Sequence, residues 1–163
     1  MAGINREPKN AEMLSMLGYI EKTQAQVSMI SGNGDTVALL SKAATYFKEA
    51  LETDPDNISA LNGMANMYFF ANDFDRAIKL GSSIVQKEPN YGAALWDLAL
   101  ALENRINEVG TLPNYITALE IVYKRLKSII PGQPEVFSAK ELSYVQERLR
   151  EIRRLSRAQN VSN

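Results

Sequence analysis

The chain has 163 residues, 45% of them hydrophobic, which is enough apolar sequence for a folded core and argues against global disorder. It contains neither cysteine nor histidine, which excludes disulfides, thiolate chemistry, thiolate-bound zinc and imidazole acid–base catalysis. The formal net charge of −1 provides no bulk attraction to nucleic acid, so we expect nucleic acid not to be a partner, and we predict neither a cofactor nor a metal.

The N-terminal sequence MAGINREPKNAEM has no apolar core of a secretory signal, and no long uncharged apolar run follows it. We therefore expect a cytoplasmic protein without a membrane span. A long helix is predicted from about residue 10 to residue 30. The next stretch, SGNGDT at 31–36, is typical of a loop, because it lacks the preceding strand and the following Lys-Ser/Thr of a phosphate-binding loop.

A repeat occupies the middle of the chain. A helix predicted over 36–53 ends before Pro55, and Pro89 follows a further helical pair 34 positions later. The first helix of that pair has its apolar face at Leu61, Met64, Ala65 and Tyr68. The second helix, which Asp73 can cap, has its apolar face at Ala77, Leu80, Gly81 and Ile84. We expect Leu61 and Tyr68 to be buried and Gly81 to leave a hole in the packing.

The third helix pair matches the repeat pattern in its first helix and is then interrupted by an insertion. Leu95, Leu98, Ala99 and Leu102 form its first apolar face, and the insertion NRINEVGTLPN at 104–114 delays its second helix, which ends at Pro131. Residues 138–158 then predict one more amphipathic helix, and Ser138 with Glu141 matches a capping box. Its apolar stripe consists of Leu142, Val145, Leu149, Ile152 and Leu155.

This 34-residue spacing of large apolar, small and proline positions resembles the tetratricopeptide repeat family. The resemblance implies an all-α fold, a right-handed superhelix of about three helix pairs with a C-terminal capping helix. We expect a single domain over 1–163. Its expected parts are a divergent first repeat with a long N-terminal helix at 10–57, the best-matched repeat at 58–91, a third repeat at 92–131 and the capping helix at 138–158.

The resemblance also implies a function, a non-enzymatic adaptor or scaffold that assembles or escorts a larger complex. Such proteins hold a protein or peptide segment in a concave groove lined by the first helix of each pair. The groove positions here are Ser59, Asn62, Asn66, Phe69, Trp96, Leu100 and Glu103. Asn62 and Asn66 lie four residues apart and are expected to present amides to the segment. Trp96 either faces the groove or packs under the C-terminal helix.

Two alternatives remain open from the sequence. The chain could self-associate as a homo-oligomer through its long N-terminal helix or an uncovered end. Alternatively, a basic C-terminal end could bind an acidic partner or RNA, although arginines there also suit the negative end of a helix dipole. The arginines of this basic end are Arg148, Arg150, Arg153, Arg154 and Arg157.

Overall fold

The computed structural model describes residues 10–32 and 35–161, and within those ranges the chain is helical without any strand. The prediction of an all-α fold is confirmed, whereas positions 33 and 34 of the predicted loop and the first nine residues lie outside the described ranges. The described part contains seven α-helices, named here α1 to α7: Ala11–Ser31, Thr36–Thr53, Ile58–Phe70, Phe74–Lys87, Gly92–Val109, Pro113–Ile129 and Ala139–Val161. A short 3-10 turn, Ile130–Gly132, follows α6.

The chain divides into two compact units, an N-terminal unit that ends at Met67 and a C-terminal unit that begins at Tyr68. The division falls inside α3, within the repeat predicted at 58–91. The single domain and the repeat boundaries stay predictions.

In the N-terminal unit a buried phenylalanine packs against two glycines. Asn10 begins α1, and its side-chain oxygen accepts hydrogen bonds from the backbone N–H groups of residues 12 and 13 at 2.8 and 3.3 Å. The fully buried ring of Phe47 in α2 lies against Gly18 of α1 and Gly63 of α3. The edge of that ring also meets Tyr19, with centroids 5.1 Å apart. Small residues on α1 and α3 therefore set how closely these helices approach Phe47.

The C-terminal unit has one continuous apolar core shared by α5, α6 and α7. The α7 residues Val145, Leu149 and Ile152 are buried in that core and Leu142 packs against it, so this part of the predicted stripe covers the last helix pair, whereas Leu155 is exposed. Glu141 accepts hydrogen bonds from the backbone N–H and the hydroxyl of Ser138, and the Ser138 oxygen accepts one from the backbone N–H of Lys140 at 3.2 Å, so side chains cap the start of α7 from both directions.

Three expectations about packing were wrong. Gly81 leaves no hole, because a Cβ atom on it would stand 3.3 Å from the Cβ of Leu98 in α5. Leu61 and Tyr68 are only partly buried. The Arg76 guanidinium instead lies over the Tyr68 ring, with its Cζ atom 5.5 Å from the ring centroid. Both side chains line a recess of about 300 Å³.

The insertion at 104–114 is mostly helix. It extends α5 to Val109, where Gly110 adopts a φ of 89° and ends the helix. Pro113 then occupies the first turn of α6, where its missing N–H costs no hydrogen bond. The interruption of the repeat is therefore a longer first helix followed by a short turn.

Candidate functional site

The predicted groove positions of the third repeat lie on one side of α5. Trp96, Leu100 and Glu103 follow each other at spacings of four and three, whereas Leu95, Leu98, Ala99 and Leu102 belong to the core, and Trp96 packs against that core. Trp96 and Leu100 are partly exposed. Trp96 therefore lies at the edge of that core, and the assignment of these residues to a groove stays a prediction.

Trp96 is held by two aromatic rings from outside its helix. Its ring centroid lies 5.9 Å from that of Phe137 and 5.7 Å from that of Tyr144, both tilted contacts. Of the two alternatives for Trp96, packing against the beginning of α7 is thus observed. Because the indole is partly exposed, the same contacts also fix its orientation at the surface.

Glu103 is not available to a partner in the way the groove prediction requires. Its side chain is only 11% exposed, and its carboxylate accepts hydrogen bonds from the hydroxyls of Tyr123 and Tyr144, both at 2.8 Å, and from Arg148 Nε at 2.5 Å. Glu103 therefore attaches α7 to α5 and α6. Its assignment as a peptide-binding residue is corrected, because partners from its own chain occupy both oxygens.

The same carboxylate contributes to the pKa shifts of its neighbours. Burial, together with the nearby negative charge of Glu103, raises the pKa of Tyr123 far above its ordinary value. Burial and the hydrogen bond to Glu103 also raise the pKa of Tyr144. Burial alone would lower the pKa of Arg148, but the hydrogen bond and charge of Glu103 outweigh it and raise that pKa. Both tyrosines stay neutral and the arginine stays charged at physiological pH, so this network holds structure and offers no mobile proton.

The amides of Asn62 and Asn66 are buried, with side chains 2% and 8% exposed, so the expectation that they face a peptide is wrong. Asn66 donates to the backbone oxygen of residue 62 and accepts from Lys22 Nζ at 2.8 Å. Asn62 donates to the hydroxyl of Tyr19 at 3.3 Å, and that hydroxyl donates to the backbone oxygen of Ser59 at 3.1 Å. Side chains of α1 therefore occupy the hydrogen-bonding positions expected for a partner segment.

The sequence reasoning missed Tyr19 and Lys22 as the residues that cover these asparagines. They lie three apart on α1, and the ammonium of Lys22 also sits 4.9 Å from the centroid of the Tyr19 ring. The spacing of three shows in the sequence that Tyr19 and Lys22 share one face of α1. The neighbouring residues do not show which distant side chains that face contacts.

Two groove positions remain, Ser59 and Phe69. Ser59 lies in the first turn of α3 and is partly buried, and Phe69 lies in the last turn of α3 and belongs to the C-terminal unit. It packs edge-on against Phe70 and Phe74, with ring centroids 6.1 and 5.6 Å away. It is partly exposed. A partner could therefore reach one side of this ring.

The five arginines predicted as a basic end do not act as one group. Arg148 is hydrogen-bonded to Glu103 and Glu151, so it is removed from the set. Arg153 forms an ion pair with Glu120, with its Nε atom 3.8 Å from the Glu120 Oε1 atom. The exposed side chains of Arg150, Arg154 and Arg157 lie at spacings of four and three on α7, so they share one face of it.

The described residues form neither a cluster of metal ligands nor a membrane-spanning helix. Over 10–32 and 35–161 no three acidic side chains come together in a way that could hold a metal ion. None of the helices in those ranges is long and apolar enough to cross a membrane.

Comparison with known proteins identifies the repeat. Residues 40–102 match the family model described as "Tetratricopeptide repeat". No curated protein matches the chain.

Proposed function

We propose that this chain, which through residues 40–102 belongs to the tetratricopeptide repeat family, is a non-enzymatic adaptor that binds a segment of another protein. Repeats of this family generally mediate protein–protein interaction. The binding surface we propose is the groove face of the C-terminal unit, formed by Trp96 and Leu100 of α5 together with Phe69. The adaptor would work in the cytoplasm and would assemble or escort a larger complex.

The observation that carries this proposal is the partly exposed indole of Trp96, fixed between Phe137 and Tyr144. Aromatic side chains that are rigid before binding lose little conformational entropy on binding, and tryptophan is enriched among the residues that dominate interface energies. Leu100 lies one helical turn further on, also partly exposed. Together they offer an apolar contact beside a polar network that is already satisfied within the chain.

The absence of histidine and cysteine, the residues that most often serve as general base or nucleophile in enzymes, also supports a binding role. Without histidine or cysteine, a general base or nucleophile would have to be a carboxylate, lysine, serine or threonine. The most prominent carboxylate, Glu103, is bonded to two tyrosines and an arginine of its own chain. We therefore propose that the protein catalyses no reaction.

The experiment uses the only tryptophan of the chain as a reporter. A partner is recovered by affinity capture with the full chain, identified by mass spectrometry and then titrated while the fluorescence of Trp96 is recorded. A segment bound at this face should shift that fluorescence. Leu100→Asp should weaken binding by about thirtyfold or more, the size of a typical hot-spot loss.

The matched control is Ile121→Asp, an exposed apolar position of α6 in the same unit. It should leave both the affinity and the fluorescence shift unchanged. Equal affinities for wild type and Leu100→Asp would refute this face as the binding site. Loss of binding on changing Arg150 and Arg154 to glutamate would then place the site on the basic face of α7.

A further inference from the structure

One side of α1 exposes a row of five large apolar side chains and one threonine. The residues Met13, Met16, Ile20, Thr23, Val27 and Ile30 follow each other at alternating spacings of three and four, and all six are exposed. We call these six residues the α1 seam. Its pattern runs from the first turn of the helix to the last.

An alternation of three and four is the spacing with which one helix packs along a second helix, knobs into holes. The other side of α1 already packs within the N-terminal unit through buried residues such as Leu14, Gly18 and Ala25. The seam is thus a second packing face on the same helix, and within the described residues it is exposed to solvent.

We propose that the α1 seam pairs with the α1 seam of a second copy of this chain, so that the protein is a homodimer through its N-terminal unit. This inference does not rest on the protein-segment site of the C-terminal unit. It concerns a different helix and a partner of known sequence.

The charge pattern favours a second copy over a different protein. Coiled coils select partners through charges beside the seam. From Met13 to Ser31 the only charged residues are Glu21 and Lys22, and both are partly buried away from the seam. A foreign helix would find no charge to match. Two identical seams meet without like-charge repulsion.

The exposed area is also sufficient for a dimer. The apolar members of the seam, with the adjacent Leu17, are between 36% and 88% exposed. They present on the order of 600 Å² per copy along a helix about 30 Å long, so a pair would bury at most about 1,200 Å², the lower end of specific interfaces.

The polar seam residue indicates the direction of pairing. In an antiparallel pair Met13 meets Ile30, Met16 meets Val27 and Ile20 meets Thr23, so each layer includes a large apolar side chain. A parallel pair would place Thr23 against Thr23. A groove of about 600 Å³ beside the C-terminal half of the seam, lined in part by Ile20 and Val27, can receive the methionines of an antiparallel copy.

Sedimentation equilibrium of the full chain over a wide concentration series tests the dimer. Wild type should pass from the 18.2 kDa monomer to twice that mass. The double variant Ile20→Asp/Val27→Asp should raise the dissociation constant by about a hundredfold or more, because it brings four carboxylates into one interface. Met29→Asp is the control, since Met29 lies off the seam and is 57% exposed against 60% for Val27.

A gain-of-function variant avoids any question of folding. Thr23→Leu replaces the polar member of the seam and should lower the dissociation constant by about tenfold. A wild type that stays monomeric at every concentration overturns the proposal. So does a Met29→Asp chain that dissociates as readily as the double seam variant, or a Thr23→Leu chain that associates no more tightly than wild type.

The absence of cysteine allows the direction of pairing to be measured. Chains with Met13→Cys and chains with Ile30→Cys are mixed, oxidised and examined by mass spectrometry. Antiparallel pairing should give the mixed disulfide between the two variants. Disulfide dimers of each variant with itself, without the mixed species, would overturn the antiparallel arrangement.

Discussion

A Cβ atom placed on Gly63 would stand 2.3 Å from Cε1 of the Phe47 ring, well inside van der Waals contact. A Cβ atom on Gly18 would stand 2.6 Å from the same carbon. Phe47 is completely buried and cannot move aside without disturbing the close packing around it. Both glycines are required by the space that Phe47 occupies.

Gly63→Ala should therefore lower the free energy of unfolding by about 1–3 kcal/mol through overpacking, despite the better helix propensity of alanine. Urea denaturation monitored by circular dichroism measures the change. Gly132→Ala is the control, because nothing lies within 4 Å of its added Cβ, and it should have little effect. Equal midpoints for the two variants would show that Phe47 can adjust.

Glu103→Gln should destabilise the C-terminal unit by about 1–3 kcal/mol, because it removes the charge that three donors share. The side chains of Glu103 and Arg148 are 11% and 30% exposed, so solvent screens this pair only in part. Thermal and urea unfolding measure the loss. Glu108→Gln, at an exposed ion pair with Arg105, should cost less than about 1 kcal/mol. A smaller effect at Glu103 than at Glu108 would contradict the role given to this network.

Stability should fall as the pH rises above about 10, the ordinary pKa of tyrosine in an unfolded chain. The folded state raises the pKa of Tyr123, mainly through burial. Above pH 10 the unfolded chain has therefore lost a proton that the folded chain keeps. This stabilises the unfolded state relative to the folded state, so the free energy of unfolding falls. The contribution of Tyr123 is fully present below that pH.

Tyr123→Phe tests this pH dependence. The variant should lose about 1 kcal/mol at pH 7, because it lacks the hydrogen bond to Glu103. Its stability should then fall less steeply than that of wild type between about pH 10 and pH 11.5. Melting temperatures over this pH range provide the comparison, and parallel curves would show that Tyr123 does not control the alkaline transition.

Deletion of residues 138–163 should lower the melting temperature and promote aggregation, because the core side chains that α7 covers become exposed. The point variant Ile152→Ala removes a core contact without removing the helix and should cost about 2–5 kcal/mol. Light scattering and calorimetry follow the two effects. A truncated chain that does not aggregate and melts at an unchanged temperature would mean that α7 serves a partner and not the core.

Much of the fold could be predicted from local pattern. Apolar residues repeating every three to four positions indicate which side of each helix is buried, and prolines at a spacing of 34 indicate where one helix pair ends and another begins. Ala77, Leu98 and Leu102 are buried as expected for that reason. The α1 seam is also legible in the sequence, because an alternation of three and four needs no knowledge of distant contacts.

The partners of the polar side chains were decided only by tertiary structure. Asn62 and Asn66 are covered by Tyr19 and Lys22, more than 40 positions earlier in the chain. Glu103 meets donors 20, 41 and 45 positions later. Periodicity reports whether a position faces the apolar core, but a buried polar group must find a hydrogen-bonding partner, and that partner depends on which distant helix packs beside it. The same polar positions that would suit a peptide-binding groove are here satisfied by the chain itself.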